Sequence, residues 1–284
     1  MHYYYDTANR KSYLIAACDS GTALTLNYRN TGEWGTVAGI STTLDGYAGA
    51  IPDMENYLSR AFIVGYLSGT DFLPNAVINV STFSTSDANI SSMPQGKYIV
   101  RYRDLLYILH AKTGGTVYPT RAYYCDEPTA GAIAWTGITT RFVEFGYDDG
   151  DSITGGYECL DRLLVFKTDS MWKYDESSAE QIADVGCDSN RSIQKINKIL
   201  YWYNRDGFYR WRGAQPELIS AKAQPFIEAM DQTTLTSVVA TIYNGFEYRA
   251  FIGTVTVDDI SYVNAWFCWD TRREKCYKIG RAHV

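Results

Sequence analysis

The fifteen residues "DRLLVFKTDSMWKYD", Asp161 to Asp175, decide the fold. A run of Leu163, Leu164, Val165 and Phe166 leads into a polar turn at Thr168-Asp169-Ser170. Beyond it Met171-Trp172-Lys173-Tyr174 mixes aromatic with charged residues. Apolar and aromatic runs bounded by Asp and Ser are the sequence mark of paired strands, so the stretch predicts a hairpin. Its apolar parts hold no nucleophile, acid or base. Leu163, Val165, Met171 and Trp172 are therefore expected to fill a core, alternation alone leaving open which face each takes.

The same form recurs along the chain. "KINKILYWYNRDGFYRW" (Lys195 to Trp211) repeats it fully, and adds Leu200, Trp202 and Tyr209 as core candidates. "VRYRDLLYILHA" (Val100 to Ala111) repeats its first half, "ENYLSRAFIVGYL" (Glu55 to Leu67) does so more weakly, and "RKSYLIAACDSG" and "YNGFEYRAFIGT" share its pattern near the ends. With each copy anchored on Leu14, Phe62, Leu106, Leu164, Leu200 or Ala250, the spacing averages about 47 residues, within the range of four-stranded propeller blades. Each copy is preceded by another strand candidate, such as "SITGGY" after the Asp-Asp-Gly-Asp turn at Asp148 to Asp151. In the last unit Trp266, a core candidate, stands with Phe267 and Trp269 on an outer strand. The expected fold is all-β: a propeller-like array of five or six antiparallel blade units forming one domain over residues 1–278. Helix is expected only at Ser220 to Asp231, on a connection between blades, with Ser220 as a candidate cap.

Composition narrows function by exclusion. The 284 residues carry a net charge of -6 without a cluster of Lys and Arg, which argues against a nucleic-acid-binding surface. Twenty-four tyrosines and seven tryptophans suit pleated, half-buried surfaces. The six cysteines form no Cys-x-x-Cys pair, so they read as reduced and mostly buried residues. The start shows no signal-peptide pattern, and no apolar run reaches the length of a membrane helix.

Catalytic and ligand-binding patterns are scarce in the sequence. Of three histidines (His2, His110, His283) only His110 lies within the repeats, where a hydrogen-bonded structural role is expected; no G-x-S-x-G elbow accompanies it. "GDSITGG" lacks the lysine of a phosphate loop, and no G-x-G-x-x-G follows a strand. Asp148, Asp149 and Asp151 could share a cation, but no glutamate closes the set, so a solvated turn is expected, as at Asp126 to Thr129. No catalytic, cofactor-binding or metal-binding residue is therefore assigned. The sugar-cleaving propeller box, with aspartate and glycine one residue apart, fails at "NRDGFYRW", where they are adjacent. The Asn-x-Ser sequons at Asn79 and Asn89 have no secretory context and read as chance.

The succession "GDSITGGYECLDRLLVFKTDSMWKYD", "VGCDSNRSIQKINKILYWYNRDGFYRW" and "AQPELISAKAQPFIEAM" resembles tailed-bacteriophage virion proteins whose propeller-like repeats belong to the tail or the head-to-tail connection. Its most specific parts are Val185, Gly186, Cys187, Ser189, Arg191, Ser192 and Ile193, and "RDGFYRW". The resemblance implies a non-enzymatic structural protein of the virion, assembled in the host cytoplasm. Its partners would be portal, connector or tail components, with a homo-oligomer as a further option and neither specific nucleic-acid binding nor a membrane. A carbohydrate- or receptor-binding propeller is the alternative, followed by a glycan-cleaving one. The terminal "IGRAHV", residues 279–284, reads as a translated sequencing adapter, so the natural chain is expected to continue past Lys278, and Met1 is a candidate internal start.

Overall fold

The computed structural model describes residues 2–6, 11–19, 21–29, 33–36, 44, 46–79, 92–129, 131–231 and 233–283, with side chains from residue 13 through 35 and from 44 through 277 within those ranges. The described residues group into two compact units, Met1–Asp149 and Gly150–Val284. In the first, three antiparallel sheets follow one another: β1 to β4 (His2–Asp6, Lys11–Asp19, Leu24–Arg29, Trp34–Thr36), β5 to β8 (Ile51–Tyr57, Arg60–Ser68, Asp71–Phe72, Ala76–Asn79) and β9 to β12 (Gln95–Tyr102, Leu105–Thr113, Thr116–Tyr124, Phe142–Glu144). The second holds β13 to β16 (Ile153–Cys159, Arg162–Lys167, Met171–Tyr174, Ala179–Ala183), β17 to β20 (Gln194–Ile196, Ile199–Asn204, Gly207–Trp211, Glu217–Leu218) and β21 to β24 (Val239–Tyr243, Glu247–Val257, Ile260–Asp270, Lys275–His283). These are six propeller-type blade units of four strands. All six repeat anchors, from Leu14 to Ala250, fall on the second strand of a sheet.

Tight turns join the first two strands of several sheets. Leu58-Ser59, Leu160-Asp161 and Asn197-Lys198 each place two successive residues at positive φ (48° and 59°, 53° and 56°, 49° and 66°). Such two-residue turns match the right-handed twist of the flanking strands, which is why the hairpins close without splaying.

The second strands β6, β10, β14 and β18 are buried on both faces, and on β6 and β18 period-two alternation divides the side chains between two cores. On β18, Leu200 and Trp202 pack with Leu164 and Phe166 of β14. Tyr201 and Tyr203 point the other way, into a cluster with Tyr248 and Ala250 of β22 and Phe267 of β23. There the rings of Phe208 and Phe267 stack at 4.1 Å and 2°. In the first unit β6 does the same, with Ala61 and Ile63 in one cluster and Phe62 and Val64 in the next. A strand covered on both sides needs a continuous apolar run, and "LLVF" and "LYWY" supply it. Each such side chain contributes roughly 1.5 to 3 kcal/mol of burial before entropy is counted.

Leu163, Val165, Met171, Leu200 and Trp202 are fully buried. Trp172, Tyr209 and Trp266 depart from the expectation and are half-buried. Trp172 lies on β15 opposite Val165 and Gln181, and its indole N–H donates to Ser170 Oγ at 2.9 Å. It is not the counterpart of Trp202, because the register pairs Trp202 with Tyr209 as it pairs Val165 with Trp172. Tyr209 stacks on Trp202, with ring centroids 5.9 Å apart, and stays half-buried. Trp266 occupies the face of β23 opposite buried Phe267 and meets Phe251 edge to face at 5.3 Å.

The helix is shorter than expected. A 3-10 turn at Ala221–Ala223 precedes α1 (Gln224–Glu228), with Pro225 in its first turn, where the missing N–H is harmless. Ser220 caps nothing; its hydroxyl accepts the Phe208 N–H at 2.9 Å and so serves β19. His110 sits at a bulge of β10 with φ 49° and is buried. At the other end, strand pairing continues into the terminal hexapeptide as far as His283, with Trp266 opposite Ile279 and Ser261 opposite His283; side chains from residue 278 onward lie outside the described residues. The His2 side chain and the whole of Asn89 also lie outside them.

Candidate functional site

The most specific sequence motif, Val185 to Ile193, joins β16 to β17 in the second unit. Gly186 has no room for a side chain, since a Cβ there would stand 2.1 Å from the Lys167 carbonyl oxygen and 2.2 Å from that of Thr168. Its own carbonyl accepts the Trp202 indole N–H at 2.9 Å. The Cys187 N–H donates to Lys167 O, the Asp188 N–H to Tyr203 O, and the Asp188 carboxylate accepts from the backbone and guanidinium of Arg205. Ser189 Oγ donates to Val238 O at 2.7 Å, while Asn190 Oδ1 accepts the Gly156 N–H at 3.2 Å. Ser192 Oγ donates to Ser189 O at 2.7 Å and accepts the buried Tyr203 N–H at 2.9 Å. Tyr248 closes the set, donating its hydroxyl hydrogen to Ser192 O at 2.9 Å.

Six residues of this nine-residue segment thus pin the sheets that begin at β13, β17 and β21 to one another. The segment is a staple. Burial pushes the Cys187 thiol up to about 12, far from the range where a thiolate forms readily. Burial likewise pushes Cys159 and Cys268 up to about 11. Replacing Ser192 by alanine leaves the buried Tyr203 N–H without its acceptor, and a loss of about 2 kcal/mol is expected in urea unfolding. A change below 0.5 kcal/mol would show that the hydroxyl holds nothing.

The acidic clusters also tie down backbone. Asp151 accepts from the N–H groups of Ser152, Thr168 and Asp169 at 2.7, 3.1 and 3.0 Å, and so fixes the β14–β15 turn. Among the described residues no group of three His, Cys, Asp or Glu side chains could hold a cation. Burial pulls Asp126 upward, but the Thr136 N–H and hydroxyl and the Arg141 charge outweigh it and hold the carboxyl below its ordinary range. Asp270 behaves alike, with burial opposed by the N–H groups of Arg272 and Arg273. Glu274 is lowered first by the Arg212 hydrogen bond and then by Arg210. A depressed folded-state value adds stability that is present above the unfolded value near 4 and is lost as pH falls through the folded one. The melting temperature is therefore expected to hold steady from pH 7 to 5 and to drop below pH 4; a curve flat down to pH 2 would contradict it.

One open cleft of about 570 Å³ lies between the β13–β16 sheet and the loop joining β19 to β20. Lys173 and Glu180 pair across one wall at 2.8 Å. Trp211 is buried beneath the other, its indole N–H donating to Ala214 O at 2.7 Å and so setting the loop. Arg162 also lines the cleft, half-buried, and among the described residues its side chain makes no hydrogen bond or ion pair. Its charge reaches Asp175, which the Ser177 hydroxyl and N–H already hold low. Sequence reasoning missed Arg162, because only the fold brings it opposite residues 211 to 215.

No protein-family model matches the chain, and no curated protein matches it. Among solved structures, the β-propeller domain of the Trilobed protease from Pyrococcus furiosus aligns with 98% of this chain and 78% of its own, at 11% identity and a TM-score of 0.47. The computationally designed Ika8 protein aligns over 99% and 72%, at 11% identity and 0.48. Acylaminoacyl peptidase from Pyrococcus horikoshii aligns over 95% of this chain and 44% of its own, at 11% identity and 0.45. The blade assignment rests on this chain's own strand pairing, and no function is taken from these likenesses.

Proposed function

We propose that the chain is a non-enzymatic structural protein of a tailed-phage virion, placed in the tail or at the head-to-tail connection. The observation that carries the reading is the staple: the segment most specific to the phage-like pattern engages its polar side chains in holding three sheets together. Two features agree with it. Every described carboxyl with a displaced pKa is lowered rather than raised, whereas a glycan-cleaving general acid needs a raised one. A net charge of -6 also suits a conduit that passes DNA without gripping it, since few cations stand ready to displace phosphate counterions. Mass spectrometry of purified particles tests the proposal: the protein should appear in fixed ratio to the portal protein, and a glycan panel should stay uncleaved. Its absence from particles, or cleavage abolished by removing one acidic pair, would overturn it.

A further inference from the structure

The cleft beside the β19–β20 loop is lined by one face of the β13–β16 sheet. Leu164 pairs with Lys173 and Lys173 with Glu180, and Arg162 lies two residues before Leu164, so the three charged side chains share that face. From β14 to β16 is two strand spacings, roughly 10 Å, the span of a disaccharide. The loop Gly213-Ala214-Gln215 forms the facing wall, and at one end Gly213 closes on Leu160, where an added Cβ would come 3.2 Å from Leu160 Cδ1. A space of about 570 Å³ is of the size that takes a small ligand.

Charge and hydrogen bonding restrict what fits. Lys173 is neutralised by Glu180 at 2.8 Å, which leaves Arg162 without an ion-pair partner among the described residues and the lining with one net positive charge. Asp175 feels the Arg162 charge, but its Oδ1 accepts from Ser177 and Ser178 instead. One net charge matches a carboxylate better than a doubly charged phosphate, and a guanidinium can meet a carboxylate with two parallel bonds. Beside it the Lys173–Glu180 pair sets a donor next to an acceptor, which sugar hydroxyls, able to accept and donate, satisfy together. Trp211 is buried and offers no open ring face to a planar aromatic ligand.

We propose that this cleft binds a uronic-acid unit of an acidic polysaccharide, its carboxylate on Arg162 and the hydroxyls of the adjoining sugar on the Lys173–Glu180 pair. The glycan is held without being cleaved, since hydrolysis takes two carboxyl groups about the scissile bond and Glu180 is the single one in the lining. The inference is independent of the virion placement.

The test titrates digalacturonate into the whole chain and follows the indole N–H resonance of Trp211, which packs under the cleft. Saturable binding is expected, at least tenfold weaker for uncharged galactobiose and for Arg162→Gln protein, with no galacturonate released. Arg162→Gln should leave the melting temperature unchanged, because the side chain bonds to nothing in the fold. No saturation by digalacturonate, equal binding of galactobiose, equal binding by the variant, or release of galacturonate would each overturn the proposal. Tighter binding of the tripeptide Gly-Glu-Gly would overturn it as well and give the cleft to acidic protein segments, and tighter binding of inorganic phosphate would make it a general anion site. The assay involves no particles. A protein found in virions that binds no uronate sinks only this inference, and one absent from virions that binds uronate sinks only the virion placement.

Discussion

Trp202→Ala is expected to lower the free energy of unfolding by about 3 to 5 kcal/mol, the range for a large aromatic truncated in a core. Trp202 is fully buried, lies 5.1 Å from the Phe166 ring and 5.9 Å from Tyr209, and donates to Gly186 O. Alanine removes both the contacts and the donor, and the β-sheets on either side cannot close the gap because the other face of β18 is packed too. Urea unfolding followed by tryptophan-independent circular dichroism measures it. A loss below 1 kcal/mol would mean that the two sheets do not depend on this ring.

Gly186→Ala should cost about 3 kcal/mol, at the upper end of ordinary overpacking. The added methyl meets two backbone oxygens, of Lys167 and Thr168, at 2.1 and 2.2 Å, and backbone cannot swing aside as a flexible side chain would. Relief requires the staple to move, which also lengthens the bond from Trp202. The two substitutions should therefore be non-additive, and the double variant should lose less than the sum of the singles. Additivity within 0.5 kcal/mol would show that the bond between them contributes nothing measurable.

The repeat itself was legible in the sequence, because a second strand buried on both faces needs an apolar run such as "LLVF" or "LYWY", and all six anchors fall on second strands. Burial of the third strands was not legible: Trp172 and Tyr209 look as apolar as Trp202, yet they are half-buried where Trp202 is fully covered. The turns were hidden as well. Leu58 and Leu160 hold positive φ, a conformation that leucine rarely adopts and that no propensity would suggest. For the site, the motif at Val185 to Ile193 was visible as unusual, but its role depended on partners 11 to 56 residues away. Arg162 carried no signal at all, since an arginine at a strand start is ordinary until its surroundings are known.

The staple also has a mechanical consequence. Sheets joined only by side-chain packing can peel apart one after another under tension, each yielding at a low force. Ser189, Asn190 and Ser192 instead couple the strands of three sheets through bonds that point in different directions. A pull applied to Gly150 and His283 must load these bonds together. The second unit should therefore give way in one event in an optical trap, as a part built to transmit load would.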